Sequence, residues 1–127
     1  MRYDHLINYH DLIDASYGGH IGYLYDNIRQ NIENLHNLKT DKSFVIDILL
    51  DVVKYVLNKD IIELHFMADI RDKTVDELNS TNIDEKLKYI KESILENINE
   101  HGDILYDLDG LWWDVYAPFY VIWHSLN

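Results

Sequence analysis

Apolar residues recur along most of this chain with the three-and-four spacing that lines one face of an α-helix. Tyr3, Leu6, His10, Ile13 and Tyr17 draw a first stripe, and Gly18-Gly19 ends it, because paired glycines accept a left-handed turn and make further helix costly. Ile21, Leu24, Ile28, Ile32 and Leu35 mark a second helix, with Tyr25 and Leu38 beside the stripe. The two segments read as a helical hairpin closed at the glycine pair. From Phe44 to Leu57 nearly every residue is apolar and many are β-branched, a composition shared with buried strands. The polar exceptions favour a helix: Asp47, Asp51, Lys54 and Asn58 are separated by four, three and four, leaving one narrow wet stripe on an otherwise buried cylinder. This helix, with Asp41 as its N-cap, is expected at the centre of the fold.

Beyond it the pattern is more mixed. Asp60 and Glu63 have the spacing of a capping box, and Ile61 to Ile70 reads either as a short helix or as a strand holding Leu64 and Phe66. A further helical turn is expected over Thr74 to Leu78, then a linker, Asn79-Ser80-Thr81-Asn82. Asn82 and Glu85 open an amphipathic helix with Ile83, Leu87, Ile90, Ile94 and Ile98 inward and Gly102 as its C-cap. Trp112, Tyr116, Phe119 and Trp123 again fall at helical intervals. Pro118 removes a donor and restricts Ala117, which predicts two short helices broken near the proline. The expected fold class is all-α, a compact irregular bundle of five to seven helices. Its 127 residues suit a single domain, residues 1–127, able to bury about two thirds of its unfolded surface.

Charge changes the picture at one end. The chain holds 23 acidic and 11 basic residues for a net charge of −12, which opposes binding to nucleic acid or an anionic bilayer. Residues 92–127 contain seven acids and no Lys or Arg, and also all three tryptophans. Seven aromatics, from Tyr106 to Trp123, fall within 18 residues there. Carboxylates beside broad aromatic rings suit a basic protein partner, since opposite potentials steer encounter and an aromatic supplies a desolvated anchor. Adjacent helical side chains point about 100° apart, so Trp112 and Trp113 cannot share one direction. Trp112 is in phase with Tyr116, Phe119 and Trp123 and is expected in the core. Trp113 is then the exposed anchor, with Asp107, Asp109 and Asp114 placed to meet Lys or Arg of the partner.

Other chemistries find less in the residues. The absence of Cys removes disulfides, thiolate catalysis and cysteine metal sites. His10-Asp11 has the adjacent His-Asp pair seen in a class of helical phosphohydrolases, but without further ordered metal ligands. His10 reads instead as an edge-of-core histidine, and Asp11 and Asp14 as a solvated face. Asp103, Asp107 and Asp109 miss the alternating acids and sixth-position glycine of a calcium loop, and Glu63 with His65 misses the helical zinc signature. No cofactor, metal or catalytic residue is assigned. No apolar run reaches membrane-spanning length and Met1 to His5 lacks a secretory layout, so a cytoplasmic location is the expectation.

In size, acidity and overall composition the chain resembles the small acidic bacterial immunity proteins that neutralise a toxin, often a nuclease, by direct binding. The resemblance implies a cognate basic toxin domain as partner and stoichiometric inhibition rather than turnover. Two alternatives stand beside it: a generic acidic adaptor or homodimeric binding protein whose tryptophans complete a core, and a small metal-dependent hydrolase centred on His10 and Asp11.

Overall fold

The computed structural model describes residues 3, 5–36, 42–101, 113 and 117–124. In chain order these form α1 (Tyr9–Ser16), α2 (Ile21–His36), α3 (Lys42–Asn58), β1 (Ile62–Phe66), α4 (Val75–Ser80), α5 (Ile83–His101) and β2 (Phe119–Trp123). Five helices thus dominate the described residues, as the apolar spacing predicts. The two-stranded antiparallel sheet β1-β2 departs from the all-α expectation.

Helix α3 is the centre. Val45, Ile46, Ile48, Leu49, Val52, Val53 and Val56 are all essentially inaccessible, and the helix packs against α2, α5 and β1. Its predicted wet stripe is real and carries cross-links as well as solvent: Lys91 of α5 lies 3.5 Å from Asp47, and Lys54 lies 3.1 Å from Asp84. These pairs are half-exposed or more and contribute little individually. Asp51 is half-buried and accepts a 2.6 Å hydrogen bond from the Tyr9 hydroxyl, which docks α1 against the same helix.

Helix ends follow local chemistry. Asn8 caps α1 by accepting from the Asp11 amide, and this cap restarts the chain after the Leu6 and Ile7 amides have bonded the Tyr3 carbonyl. The buried face is therefore Tyr9, Leu12, Ile13 and Ser16, with His10 and Tyr17 exposed, not the stripe extrapolated from Tyr3 and Leu6. Gly18 adopts φ +83° between α1 and α2, the left-handed geometry expected of the glycine pair. Buried Ser16 accepts through its hydroxyl from the side-chain Nδ2 of Asn27 on α2 across that hairpin. The capping box forms at Thr74 and Glu77, opening α4, rather than at Asp60 and Glu63. Asn82 caps α5 through the Glu85 amide; Asp41 and Gly102 lie outside the described residues.

Asp60 instead terminates α3. It sits at φ +56°, the Asp60 amide bonds the Leu57 carbonyl, and the Ile61 amide bonds the Val56 carbonyl. This is the paired pattern that closes a helix through one left-handed residue, and it turns the chain directly into β1. Ile61 to Ile70 is thereby settled as a strand, Ile62–Phe66, followed by a tight turn in which Ile70 and Lys73 exchange both backbone hydrogen bonds.

The sheet register pairs Ile62 with Trp123, Leu64 with Val121 and Phe66 with Phe119. Bonds from the Met67 amide to the Pro118 carbonyl and from the His124 amide to the Ile61 carbonyl extend the ladder at both ends. Antiparallel pairs alternate between bonded and non-bonded, so Ile62, Leu64 and Phe66 direct their amides and carbonyls away from β2. At Phe66 the Asn79 side chain fills both roles, accepting from the amide at 2.7 Å and donating to the carbonyl at 3.0 Å. One amide of α4 thus stands in for a third strand at that end of β1.

Replacing Asn79 with Ala strands both groups of Phe66. A loss of about 1–3 kcal/mol is expected, read as a lower urea midpoint at unchanged m-value. Asp60→Gly relieves the left-handed backbone and should raise stability by about 0.5–1 kcal/mol in the same assay.

Candidate protein-interaction surface

Trp113 is buried, only 5% exposed, in contrast to the expected exposed anchor. Its ring lies 6.4 Å between centroids from each of Tyr25, Phe119 and His20, and is nearly parallel to the imidazole at 7°. The seat is made by Gly22: a Cβ there would overlap both the Trp113 indole and the His20 ring. The helical phase that set Trp113 outward does not run through to Trp123, because Phe119–Trp123 is a strand. Asp107, Asp109 and Asp114, with Trp112 and Tyr116, lie outside the described residues.

The strand produces a different exposed set. Successive side chains of β2 alternate between faces, so Phe119 is 2% exposed while Tyr120 and Ile122 are 45% and 43% exposed. Neither was singled out from the sequence. A five-residue aromatic and β-branched run directly after a proline is nonetheless a strand signal that identifies them. The His65 imidazole stacks on Tyr120 across the sheet at 5.3 Å. Glu63 sits between two imidazoles on the same face, with His124 Nε2 at 3.1 Å and His65 Nε2 at 3.8 Å. Met67, just past β1, is also exposed.

The α1–α2 turn joins this surface. The Trp123 indole N–H donates to the Gly19 carbonyl at 2.7 Å, the Tyr17 hydroxyl donates to the His124 carbonyl at 2.9 Å, and the Tyr17 ring packs on Trp123 at 5.3 Å. Tyr17 and Tyr23 are themselves exposed, Tyr23 lying against His20 at 4.4 Å. Between the turn and β2 opens a groove of about 220 Å³, lined by Gly18 to Ile21, by Phe119, Tyr120 and Val121, and by Trp113. Buried Trp113 therefore contributes a groove wall rather than a protruding anchor.

The hydrolase alternative gains nothing from the geometry. His10, Asp11 and Asp14 are exposed on α1, so His10 is not at the edge of the core. Among the described residues no three His, Asp or Glu side chains are arranged to hold a metal ion. No helix among them is long and apolar enough to cross a membrane. Comparison with protein-family models, with curated proteins and with solved structures gives no match.

The seat of Trp113 has a signed consequence. In a helix such as α2, Gly→Ala ordinarily stabilises by about 1 kcal/mol, but Gly22→Ala should destabilise by about 1–3 kcal/mol through overpacking. In a Trp113→Ala background the same change should become neutral or stabilising. Thermal unfolding of the four proteins of the cycle checks the reversal.

Proposed function

We propose that this chain is a binding protein that neutralises a basic toxin domain by occluding its functional surface in a one-to-one complex, without catalytic turnover. The observation that carries this reading is the exposure of Tyr17, Tyr23, Met67, Tyr120 and Ile122, each on or beside the sheet or the α1–α2 turn, in a chain of net charge −12. Exposed aromatics give a partner large contact area with few torsions to freeze, while opposite charge raises the encounter rate and disfavours wrong partners. Asp107, Asp109 and Asp114 are assigned from their sequence positions to pair with Lys and Arg of the partner. Trp113 supports the site from within by packing on Phe119.

The test is co-purification with the basic product of a neighbouring gene, followed by association kinetics across salt concentrations. A one-to-one complex is expected whose association slows as ionic strength rises. Tyr120→Ala and Ile122→Ala should each weaken it about tenfold or more and leave the melting temperature nearly unchanged, because both side chains already face solvent. Absence of a polypeptide partner, or association insensitive to salt, would defeat the proposal.

A further inference from the structure

The sheet turns one face away from the core. Period two and the register place Glu63, His65 and Met67 on that face beside Tyr120, Ile122 and His124, and ladder bonds at Met67 and His124 carry the alternation past the strand ends. Among these side chains Glu63 is the one fixed charge. His124 Nε2 lies 3.1 Å from one of its carboxylate oxygens and His65 Nε2 lies 3.8 Å from the other, with all three side chains a third to a half exposed. The surrounding titratable and charged groups have other neighbours. Tyr120 stacks on His65, the Tyr17 hydroxyl donates to the His124 carbonyl, and His20 of the adjoining turn lies against Tyr23 and Trp113. Asp69, beyond Met67, accepts from the Val75 amide, and Lys59 and Asp60, exposed where α3 runs into β1, carry opposite charges.

We infer that His65 and His124 form a proton-operated release for a cationic side chain of a bound partner. With both rings neutral, Glu63 accepts a Lys or Arg of the partner; with both protonated, the imidazoliums occupy the carboxylate and repel that cation. Imidazoles ordinarily change charge between pH 5 and 8, a range in which carboxylates stay ionised. The face is therefore negative in one state and positive in the other, and the sign of the interaction with a basic partner reverses. Its shape does not change with it, because an imidazolium stacked on Tyr120 is still attracted to the ring. Contact area from Met67, Tyr120 and Ile122 is common to both states, which leaves charge to decide between them. A cation at Glu63 lowers the proton affinity of the adjacent rings, so binding expels protons and weakens as pH falls. That a basic protein docks here rests on the proposed function; the competition for Glu63 rests on the two distances.

The probe is a displayed library of random dodecapeptides, selected on the folded chain at pH 7.5 and eluted at pH 5.5, with the selection repeated on a His65→Gln/His124→Gln double variant. Acid-eluted peptides from the native chain are expected to carry Lys or Arg and to lose binding when Glu63→Gln or Tyr120→Ala is introduced. One of them, synthesised, should weaken about tenfold between the two pH values for each proton that binding expels, whereas the double variant should hold it almost equally at both.

If the double variant fails to fold, calorimetry of the native chain still decides. At pH 6.5, in two buffers of different ionisation enthalpy, peptide binding should release protons, and binding without release overturns the inference. Failure to enrich any peptide that depends on Glu63, equal acid elution from both chains, or elution that accompanies loss of the near-ultraviolet circular dichroism signal overturns it as well. A toxin complex as tight at pH 5.5 as at pH 7.5 would remove the proton-operated release and keep neutralisation, whereas acid-released peptides without any toxin partner would do the reverse.

Discussion

The register between β1 and β2 is the constraint on which the rest of this structure depends. Side chains of a strand alternate with a period of two, so a slip of one residue exchanges every buried position for an exposed one. In the observed register Phe66 faces Phe119, their rings meet edge-on at 6.2 Å, and Phe119 in turn packs against Trp113. Tyr120 and Ile122 are consequently left on the outer face, and the indole of Trp123 is aimed at the α1–α2 turn. The pairing joins segments far apart in the chain and costs loop entropy, though that cost grows only slowly with length. What offsets it is apolar burial on the inner face, together with the ladder bonds that continue past both strand ends.

Helix α3 gives the strands something to pack on. Its apolar surface is wide enough to serve α2, α5 and β1 at once, which is why its sequence lacks the clean two-sided pattern of a surface helix. The narrow polar stripe lies along the side of the helix where Asp47, Lys54 and Asn58 are exposed. There Asp47, Asp51 and Lys54 meet Lys91, Tyr9 and Asp84, so the same residues that exclude a strand interpretation also orient the neighbouring helices. Left-handed Asp60 then converts the end of α3 into the start of β1 without a loop. The position of the sheet thus follows from how one helix stops.

Much of the helical part was legible because its signals are local. The α2, α3 and α5 faces, the glycine stop at Gly18 and the Asn82 cap each depend on residues within one or two turns. The errors have a common physical origin in extrapolated phase. The N-terminal stripe carried the phase of Tyr3 and Leu6 through Asn8, where the cap resets it. At the other end, Phe119 and Trp123 are four apart, and a separation of four puts two residues on one side in a helix and in a strand alike. The discriminating pair was Tyr120 and Ile122: period two places them together and period 3.6 sets them about 200° apart. The identity of the partner strand for β2 was not legible at all, because pairing is decided by tertiary context rather than by local propensity.

Burial of Trp113 alters how the acidic, aromatic end of this chain connects to the proposed binding function. A tryptophan held against Gly22, Tyr25 and Phe119 spends its apolar surface on the fold, so contact area for a partner has to come from side chains whose exposure costs the free protein little. Tyr120 satisfies that requirement: its ring is already stacked on His65 and its position on a paired strand is fixed by backbone bonds. Such residues are pre-ordered, and pre-ordering lowers the entropic cost of association more effectively than extra area raises its gain. In the proposed complex, acidic residues would act mainly before contact, through long-range steering, and the sheet after it, through a surface fixed by its backbone pairing. Under that proposal, charge and aromatic content, adjacent in the sequence, would contribute to recognition at different stages, and only the second would require the fold.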